Sequence, residues 1–581
     1  MRHFSYSVLR ATNLLRRRFR VSEAWFLLLA LIVGWLAGLS ALALNTVAHA
    51  MQSLLFGFAS AQRLSSLANV APARLLALPV GGLLLGLTMW LGRRRTPIDV
   101  VEANALHGGN IPRADTLTVV GQTLLSNGFG ASVGLEAAYA QAGGGLASVL
   151  GQRLKLRRND LRTLMGAGAG AAIGAAFGAP LTGAFYAFEI VLGAYTPATI
   201  APVMVAALAA ALTARGLGAP PYLIAASSSH AIGTADYILY AGLGLICAGL
   251  GIAIMRLVAL LEAGARRIPL PDYARPMMGG LLLIPLALLS PQALSAGHGA
   301  LNLNLAVHLT IAALLAMILL KIAASATSLA FGFRGGLFFA SLFIGTLVGH
   351  LYAQALGLFP GLHALDPTDA ALVGMAALAV AVVGGPMTMA LLVLEVTHDF
   401  AITGVVIAAA LISSSLVRET FGYSFSTWRL HLRGETVRSG RDIGWVRSLT
   451  AGRMMRRDVP VAASTLTVAA FRKRYSLGSA TRVILTGEGG VYAGILPTAS
   501  AFSADLDEAG LIGALATLRT ATLLPDMHIG QVMETFDTSE ADDLAVLGPQ
   551  GQVLGLVTEK YARKRYADEL EKAQRELYGE N

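Results

Sequence analysis

The segment GASVGLEAAYA, residues 130–140, holds one carboxylate, Glu136, among small and apolar residues. No other Asp, Glu, Lys or Arg lies between Asp115 and Arg153. At the centre of a membrane helix an ionised side chain costs about 2.5–3.5 kcal/mol on insertion scales, so a carboxylate kept there points to function. Three glycine-rich stretches offer helix starts within apolar sequence: LHGGNIP (106–112), GFGASVGLE (128–136) and GFRGGLFFA (332–340). A helix that begins inside a membrane presents unsatisfied N–H groups and the positive end of its dipole. Such termini hold anions without a full cationic side chain, whereas cations call for several acidic side chains or carbonyl rings. The chemistry on offer is anion binding by converging backbone dipoles, with one carboxylate among them.

Other chemistries find little support. Cys247 is the single cysteine, which excludes an intrachain disulfide and a thiolate metal cluster. The histidines show no metal-ligand spacing, and no metal is expected. No His-Glu-x-x-His occurs, and an enzyme, an intramembrane hydrolase above all, is not expected.

The elements that must position these residues are membrane helices. Of 581 residues 55% are hydrophobic and only 13% charged, roughly half the charge of ordinary soluble domains. AWFLLLALIVGWLAGLSALAL is long enough to span a bilayer, which takes about 20 apolar residues. Several other apolar runs, MMGGLLLIPLALL among them, are shorter and read as tilted, re-entrant or broken helices. Arg2, Arg10, Arg16, Arg17, Arg18 and Arg20 precede the first acidic residue, Glu23, which places this end in the cytoplasm. The long apolar run behind them argues against a cleaved signal peptide. These arginines explain the net charge of +10 more simply than nucleic-acid binding does.

The apolar part repeats itself. AFGAPLTGAFYAFEI (176–190) and VVGGPMTMALLVLEV (382–396) each run from proline to glutamate in nine residues, Pro180 to Glu189 and Pro386 to Glu395. Upstream lie GLEAA (134–138) and GLFFA (336–340); the two motif pairs are offset by 206 and 202 residues. Two halves of interrupted helices point to a transporter whose site lies at their interface. Gly166, Gly170, Gly174 and Gly178 recur every fourth residue and form a stripe for close helix packing. Glu189 and Glu395, placed alike in both halves, read first as helix-end hydrogen-bonding groups and second as proton carriers.

From about Gly434 charge returns. RVILTGEGGVYAGIL and LAVLGPQGQVLGLVT are two hairpin-like copies, each preceded by a helical stretch, STLTVAAFRKRY and HIGQVMETF. The organisation expected is a basic cytoplasmic segment (1–23), a transmembrane domain (24–432, halves of about 24–216 and 235–432), a linker (433–449), and a two-copy α/β domain with a terminal helix (450–581).

The motifs GGNIP (108–112), GLEAA (134–138), GAPLTGAFYAFE (178–189), GLFFA (336–340) and FGYSFSTWRL (421–430), in this order, resemble those of the CLC family of chloride channels and proton/chloride exchangers. The tail resembles a tandem cystathionine-β-synthase (CBS) pair. The resemblance implies a polytopic α-helical membrane protein with an inverted-repeat CLC-type fold and many broken helices, plus a cytoplasmic α/β CBS pair. It implies a homodimer in the plasma (inner) membrane, both termini cytoplasmic, with one chloride pathway per subunit. It assigns Glu136 as a gate that competes with the permeating anion. It places Leu337 and Phe338, with the hydroxyl of Tyr423, at the central anion site, and Gly108 and Gly109 at the inner mouth. Asn110, Ile111 and Leu135, in the same motifs, are counted with them as anion-binding.

Three departures shape the expectations. Gly109 stands where the family has serine, which removes one hydroxyl ligand. Leu135 replaces the arginine beside the gate, and Arg334 is the candidate to supply that positive field. Ile190 stands where exchangers carry an internal proton glutamate, with Glu189 one residue before it. On side-chain chemistry the chain is read as channel-like or weakly proton-coupled; the alternatives are a proton-coupled chloride exchanger and a transporter of small organic anions. CBS pairs commonly bind adenine nucleotides, but Thr558 is followed by Tyr561 where an Asp would contact ribose, so nucleotide binding is expected to be weak or absent.

Overall fold

The computed structural model describes residues 22–59, 61–92, 96–220, 232–306, 309–359, 364–433 and 449–578. The chain divides into two compact units, Met1–Asp442 and Ile443–Asn581. The arginines of the basic N-terminal segment and nearly all of the expected linker lie outside the described residues.

The first unit is helical. Among the described residues, seven helices are long and apolar enough to cross a membrane, the longest being Glu23–Phe56 and Thr234–Arg267 with 34 residues each. Large apolar side chains such as Leu54, Ile238 and Leu319 stay exposed on the outside of the unit, a surface suited to lipid. Two of these long helices and several shorter ones position the site. They are α1 (Val100–His107), α2 (Arg113–Gly128), α3 (Glu136–Arg153), α4 (Arg158–Phe177) and α5 (Pro180–Tyr186) in the first half. In the second half α6 (Ile311–Ala330), α7 (Phe338–Gly357), α8 (Pro367–Val383) and α9 (Pro386–Thr397) repeat the order of α2 to α5. A last short helix, α10, spans Phe425–Leu432.

The halves run in opposite directions where they meet. Gly134 and Gly336, equivalent residues of the two motifs, pair as an antiparallel bridge, with the Gly134 N–H donating to the Gly336 carbonyl at 3.1 Å. Antiparallel pairing of equivalent residues requires a local twofold relation, which is the inverted repeat. A second exchange obeys the same relation. Glu395, at the end of α9, accepts from the N–H groups of Leu181 and Thr182 at 2.8 Å each and from Thr182 Oγ1 at 2.6 Å. Glu189 returns the favour, accepting from the N–H groups of Met387 (3.1 Å) and Thr388 (2.8 Å) and from Thr388 Oγ1 (2.6 Å). Each carboxylate caps the proline-led start of the other half's helix, where orphan donors and the dipole favour negative charge. The glycine stripe permits the neighbouring contact: at Gly170 a Cβ would collide with the Gly183 carbonyl, so α4 and α5 touch backbone to backbone.

The second unit contains two copies of one topology. β1 (Val461–Ala463), α11 (Val468–Arg474), β2 (Arg482–Thr486) and β3 (Tyr492–Pro497) form the first. β4 (Thr522–Leu523), α12 (Ile529–Ser539), β5 (Asp543–Leu547) and β6 (Val553–Thr558) form the second. In each sheet the first strand lies parallel to the second and the last pair is an antiparallel hairpin. The hairpins are those read from the sequence. Strands β1 and β4, three and two residues long, are too short for periodicity to show. Arg482 of the first copy reaches Asp542 of the second at 2.7 Å, and a helix over Glu559–Tyr578 ends the unit.

Candidate functional site

Where α3 and α7 begin, the repeat brings two helix starts together and leaves a cavity of about 100 Å³ beside them. Glu136 is the first residue of α3. Its carboxylate folds back over Gly134, a placement that needs that position to lack a side chain, and lies close to Gly336. The residue is 3% exposed. Neither of its oxygens closes a hydrogen bond, although the backbone N–H groups of Glu136 and Phe339 act on it. A buried carboxylate without a closed partner is costly. Here it is tolerated by two convergent helix dipoles and by a buried ammonium.

That ammonium is Lys321, on α6. It is fully buried and donates to Ser132 Oγ (2.9 Å) and to the carbonyls of Ser295 (2.7 Å) and Ala293 (3.3 Å). Ser328 Oγ accepts from the Ser132 N–H at 3.0 Å, so α6 fastens the loop that leads into Glu136 at two points. Lys321 is the side-chain cation whose charge acts on Glu136.

Gly336, Leu337, Phe338, Tyr186, Ile190, Phe425 and Ser426 line the same cavity, and so does Asp99, the N-cap of α1. Helix α5 widens into a π turn over Ala187–Leu192. Glu189, inside it, turns toward α9, while its neighbour Ile190 faces the cavity. The arrangement can hold a small anion against helix N-termini, with a carboxylate seated at the same place and a second carboxylate across the cavity.

The family of this architecture is now identifiable. The family model described as voltage gated chloride channel matches residues 81–418. This chain belongs to the CLC family. A protein of Ralstonia nicotianae that carries the name of a ClcB-like chloride channel protein is 30% identical over 385 residues, covering 64% of this chain and 89% of that one. The voltage-gated ClC-type chloride channel ClcB of Citrobacter koseri is 28% identical over 404 residues, 68% of this chain and 95% of that protein. Among solved structures, a slow cyanobacterial Cl−/H+ antiporter superposes with a TM-score of 0.61 at 22% identity, covering 70% of this chain and 97% of its own. A eukaryotic CLC transporter gives 0.58 at 18% identity, with 95% and 98% covered. At these identities the likeness is one of fold.

Within this CLC fold the expected site residues fall in several places. Leu337 and Phe338 do line the cavity with Glu136. Gly108 and Gly109, expected at the inner mouth, lie outside the residues that line the cavity, in the stretch that ends α1 and leads into α2 at Arg113. Both are left-handed (φ +60° and +82°), and the Gly109 N–H closes back on the Ala103 carbonyl at 2.9 Å. Glycine after a helix is a stop signal, and this stretch is one. Asn110 is exposed, and the N–H of Ile111, itself fully buried, donates to Ser148 Oγ at 2.9 Å. The helix start that reaches the cavity is the other end of α1, at Asp99, Val100 and Val101.

Tyr423 also lies elsewhere. Gly422 (φ +84°) turns the chain and Ser424 caps α10, so Phe425 and Ser426 face the cavity. The Tyr423 hydroxyl meets His431 Nδ1 at 3.1 Å, and its ring stacks on that imidazole. Arg334 donates to Gln122 Oε1 at 2.7 Å and shares its surroundings with Asp99, Asp115 and Arg429. The positive field at Glu136 comes instead from Lys321. Leu135 borders a separate recess of about 10 Å³ with Arg63 and His298.

Sequence reasoning passed over Lys321, Asp99 and Tyr186. Lys321 carried the same signal as Glu136, one charge inside an apolar run (AMILLKIAAS). Asp99 carried an N-cap signal, an Asp before an apolar helical stretch.

Proposed function

We propose that this CLC protein carries small monovalent anions, chloride foremost, across the membrane through a pathway gated by Glu136. One observation carries the reading: the Glu136 carboxylate, buried and without a closed hydrogen bond, lies where the starts of α3 and α7 converge. A permeating anion would seek the same dipoles, so the side chain and the ion compete for one place. Leu337 and Phe338, with Ser426, would line the site. Glu189 is held in the α9 cap and Ile190 has no proton to carry, which supports channel-like or weakly coupled conduction. A second reading, exchange of chloride for protons, is favoured by Asp99 on the wall of the same cavity.

The reading extends to a homodimer in the plasma (inner) membrane with cytoplasmic termini. The two strand–helix–hairpin copies of the second unit support a regulatory CBS pair. Thr558 accepts from the Tyr561 N–H at 3.3 Å, and no acidic side chain stands at 561 to meet a ribose, so adenine nucleotides would bind weakly or not at all. The test is chloride efflux from liposomes holding the purified chain. Wild-type flux that Glu136→Gln alters supports the proposal; absence of chloride flux refutes it, and flux of lactate in place of chloride would favour an organic-anion carrier.

A further inference from the structure

Resting on that reading, we infer that the recess beside Leu135 is a second anion site, in which the Arg63 guanidinium holds a chloride ion across the starts of α3 and α7 from the cavity. Consecutive residues separate the two spaces. On α3 Leu135 borders the recess and Glu136 the cavity. On α7 Phe338 lines the cavity, while Phe339 packs on His298 of the recess with ring centres 3.8 Å apart. Tyr139, one turn along α3, feels the charges of both Glu136 and Arg63. An ion leaving the recess therefore meets the gate next.

The recess holds a cation without a counter-charge. A guanidinium carries five N–H donors. That of Arg63, partly buried, makes one side-chain bond, to Asn45 Oδ1 at a long 3.4 Å. Among the described residues no acidic side chain lines the recess or acts on Arg63. His298 feels both Arg63 and the buried ammonium of Lys321, so the local field is positive. A charge taken partly out of water calls for a partner, and here that partner is an anion from solution. About 10 Å³ is the space of a single water-sized particle, which suits a monatomic halide and excludes larger organic anions.

The recess is also the repeat's counterpart of the cavity. Val100 to His298 and Arg113 to Ile311 are 198 residues apart in each case, so the helix His298–Ala306 stands in the second half where α1 stands in the first. Helix α1 starts at the cavity with Asp99 as its cap, and the helix His298–Ala306 starts at the recess. There Ser65 Oγ accepts from the N–H groups of Gly299 (3.0 Å) and Ala300 (3.3 Å). One cap is a carboxylate and the other a neutral hydroxyl. Because Ser65 already takes those amides, the guanidinium and not the helix start must hold the ion. Chloride kept there waits one step from the place that Glu136 occupies.

Two measurements test this. Anomalous scattering from chloride, in crystals of the whole protein, should show an ion against the Arg63 guanidinium, lost in Arg63→Gln and kept in Arg63→Lys. In proteoliposomes, tracer chloride exchange is followed with equal chloride on both sides, so that orientation does not matter. Arg63→Gln should raise half-saturating chloride about fivefold and hold the maximal rate within about twofold of wild type. Asn45→Asp offers the guanidinium a tethered carboxylate and should raise half-saturation likewise, which keeps the test decisive if Arg63→Gln does not fold. An empty recess in wild type overturns the proposal. So does a lower maximal rate at unmoved half-saturation in these variants, the mark of a structural role; in both cases chloride exchange by wild type leaves anion transport standing. Wild type that exchanges no chloride refutes anion transport as well, since the recess then supplies nothing.

Discussion

Two places in the membrane unit use the same device to different ends. At the starts of α5 and α9, each helix presents its orphan N–H groups to a glutamate of the other half, and both carboxylates make three hydrogen bonds. At the starts of α3 and α7 the helices converge again, but one half brings Glu136 and the other Phe338. The first place is symmetric and satisfied; the second is asymmetric, and its carboxylate closes no hydrogen bond. A satisfied helix end is an anchor, while an unsatisfied one remains available to a ligand. The difference lies in occupancy, since backbone and dipole are alike in both.

The largest effect that would break this comparison is on stability. Glu395→Ala leaves two N–H groups and the Thr182 hydroxyl unpaired, so the membrane unit should lose about 3 kcal/mol. Glu189→Ala should cost a similar amount, since the twofold relation makes the sites equivalent. Thermal unfolding of the detergent-purified protein measures both, and an unchanged midpoint would strip these glutamates of their anchoring role.

Lys321→Met comes next, at about 2 kcal/mol, because three buried acceptors lose an ammonium. Unlike the anchor variants, it should also change chloride flux, since Lys321 fixes the loop before Glu136. Flux per folded protein equal to wild type would confine Lys321 to stability.

Glu136→Gln should behave oppositely. With no closed hydrogen bond to lose, its stability should change by less than about 0.5 kcal/mol. Chloride flux at neutral external pH should shift at least tenfold, about 1.4 kcal/mol in the barrier, and lose its dependence on external acidity. Efflux followed across external pH tests this, and a wild-type pH profile would remove Glu136 as the gate.

The smallest effect concerns the aromatic wall. Phe425→Tyr brings a hydroxyl to the cavity and should alter the nitrate-to-chloride permeability ratio two- to three-fold, about 0.5 kcal/mol. Tyr423→Phe should leave the ratio unchanged. The reverse pattern would return Tyr423 to the pathway. Gly109→Ser is the wrong probe of selectivity, because φ is +82° there and a Cβ would fall 2.9 Å from the Arg162 Cα.

Much of the fold was legible because it is written in local pattern. Apolar length marks the membrane helices, proline marks the starts of α5 and α9, and the recurring Pro-to-Glu spacing exposes the repeat. The strand–turn–strand copies in the tail are equally local. Of the site, Glu136, Leu337 and Phe338 were readable because their motif sits at a helix start that the repeat itself places at the centre. The stretch holding Gly108 and Gly109 both ends α1 and leads into α2; the sequence showed the second role, and only the observed N–H to carbonyl closure shows the first.

By itself, then, the sequence determined a membrane-embedded pair of related halves, a lone carboxylate at a glycine-rich helix start, and a two-copy α/β tail. Tertiary structure decided which groups surround that carboxylate: Phe425, Ser426 and Asp99 line one cavity with Glu136, and Lys321 holds the loop before it. The physical reason is rotation. One residue along a helix turns a side chain by about 100°, and a cap or a π turn shifts that phase again. Which side chain faces a cavity is therefore fixed by how helices pack, and spacing along the chain does not record it.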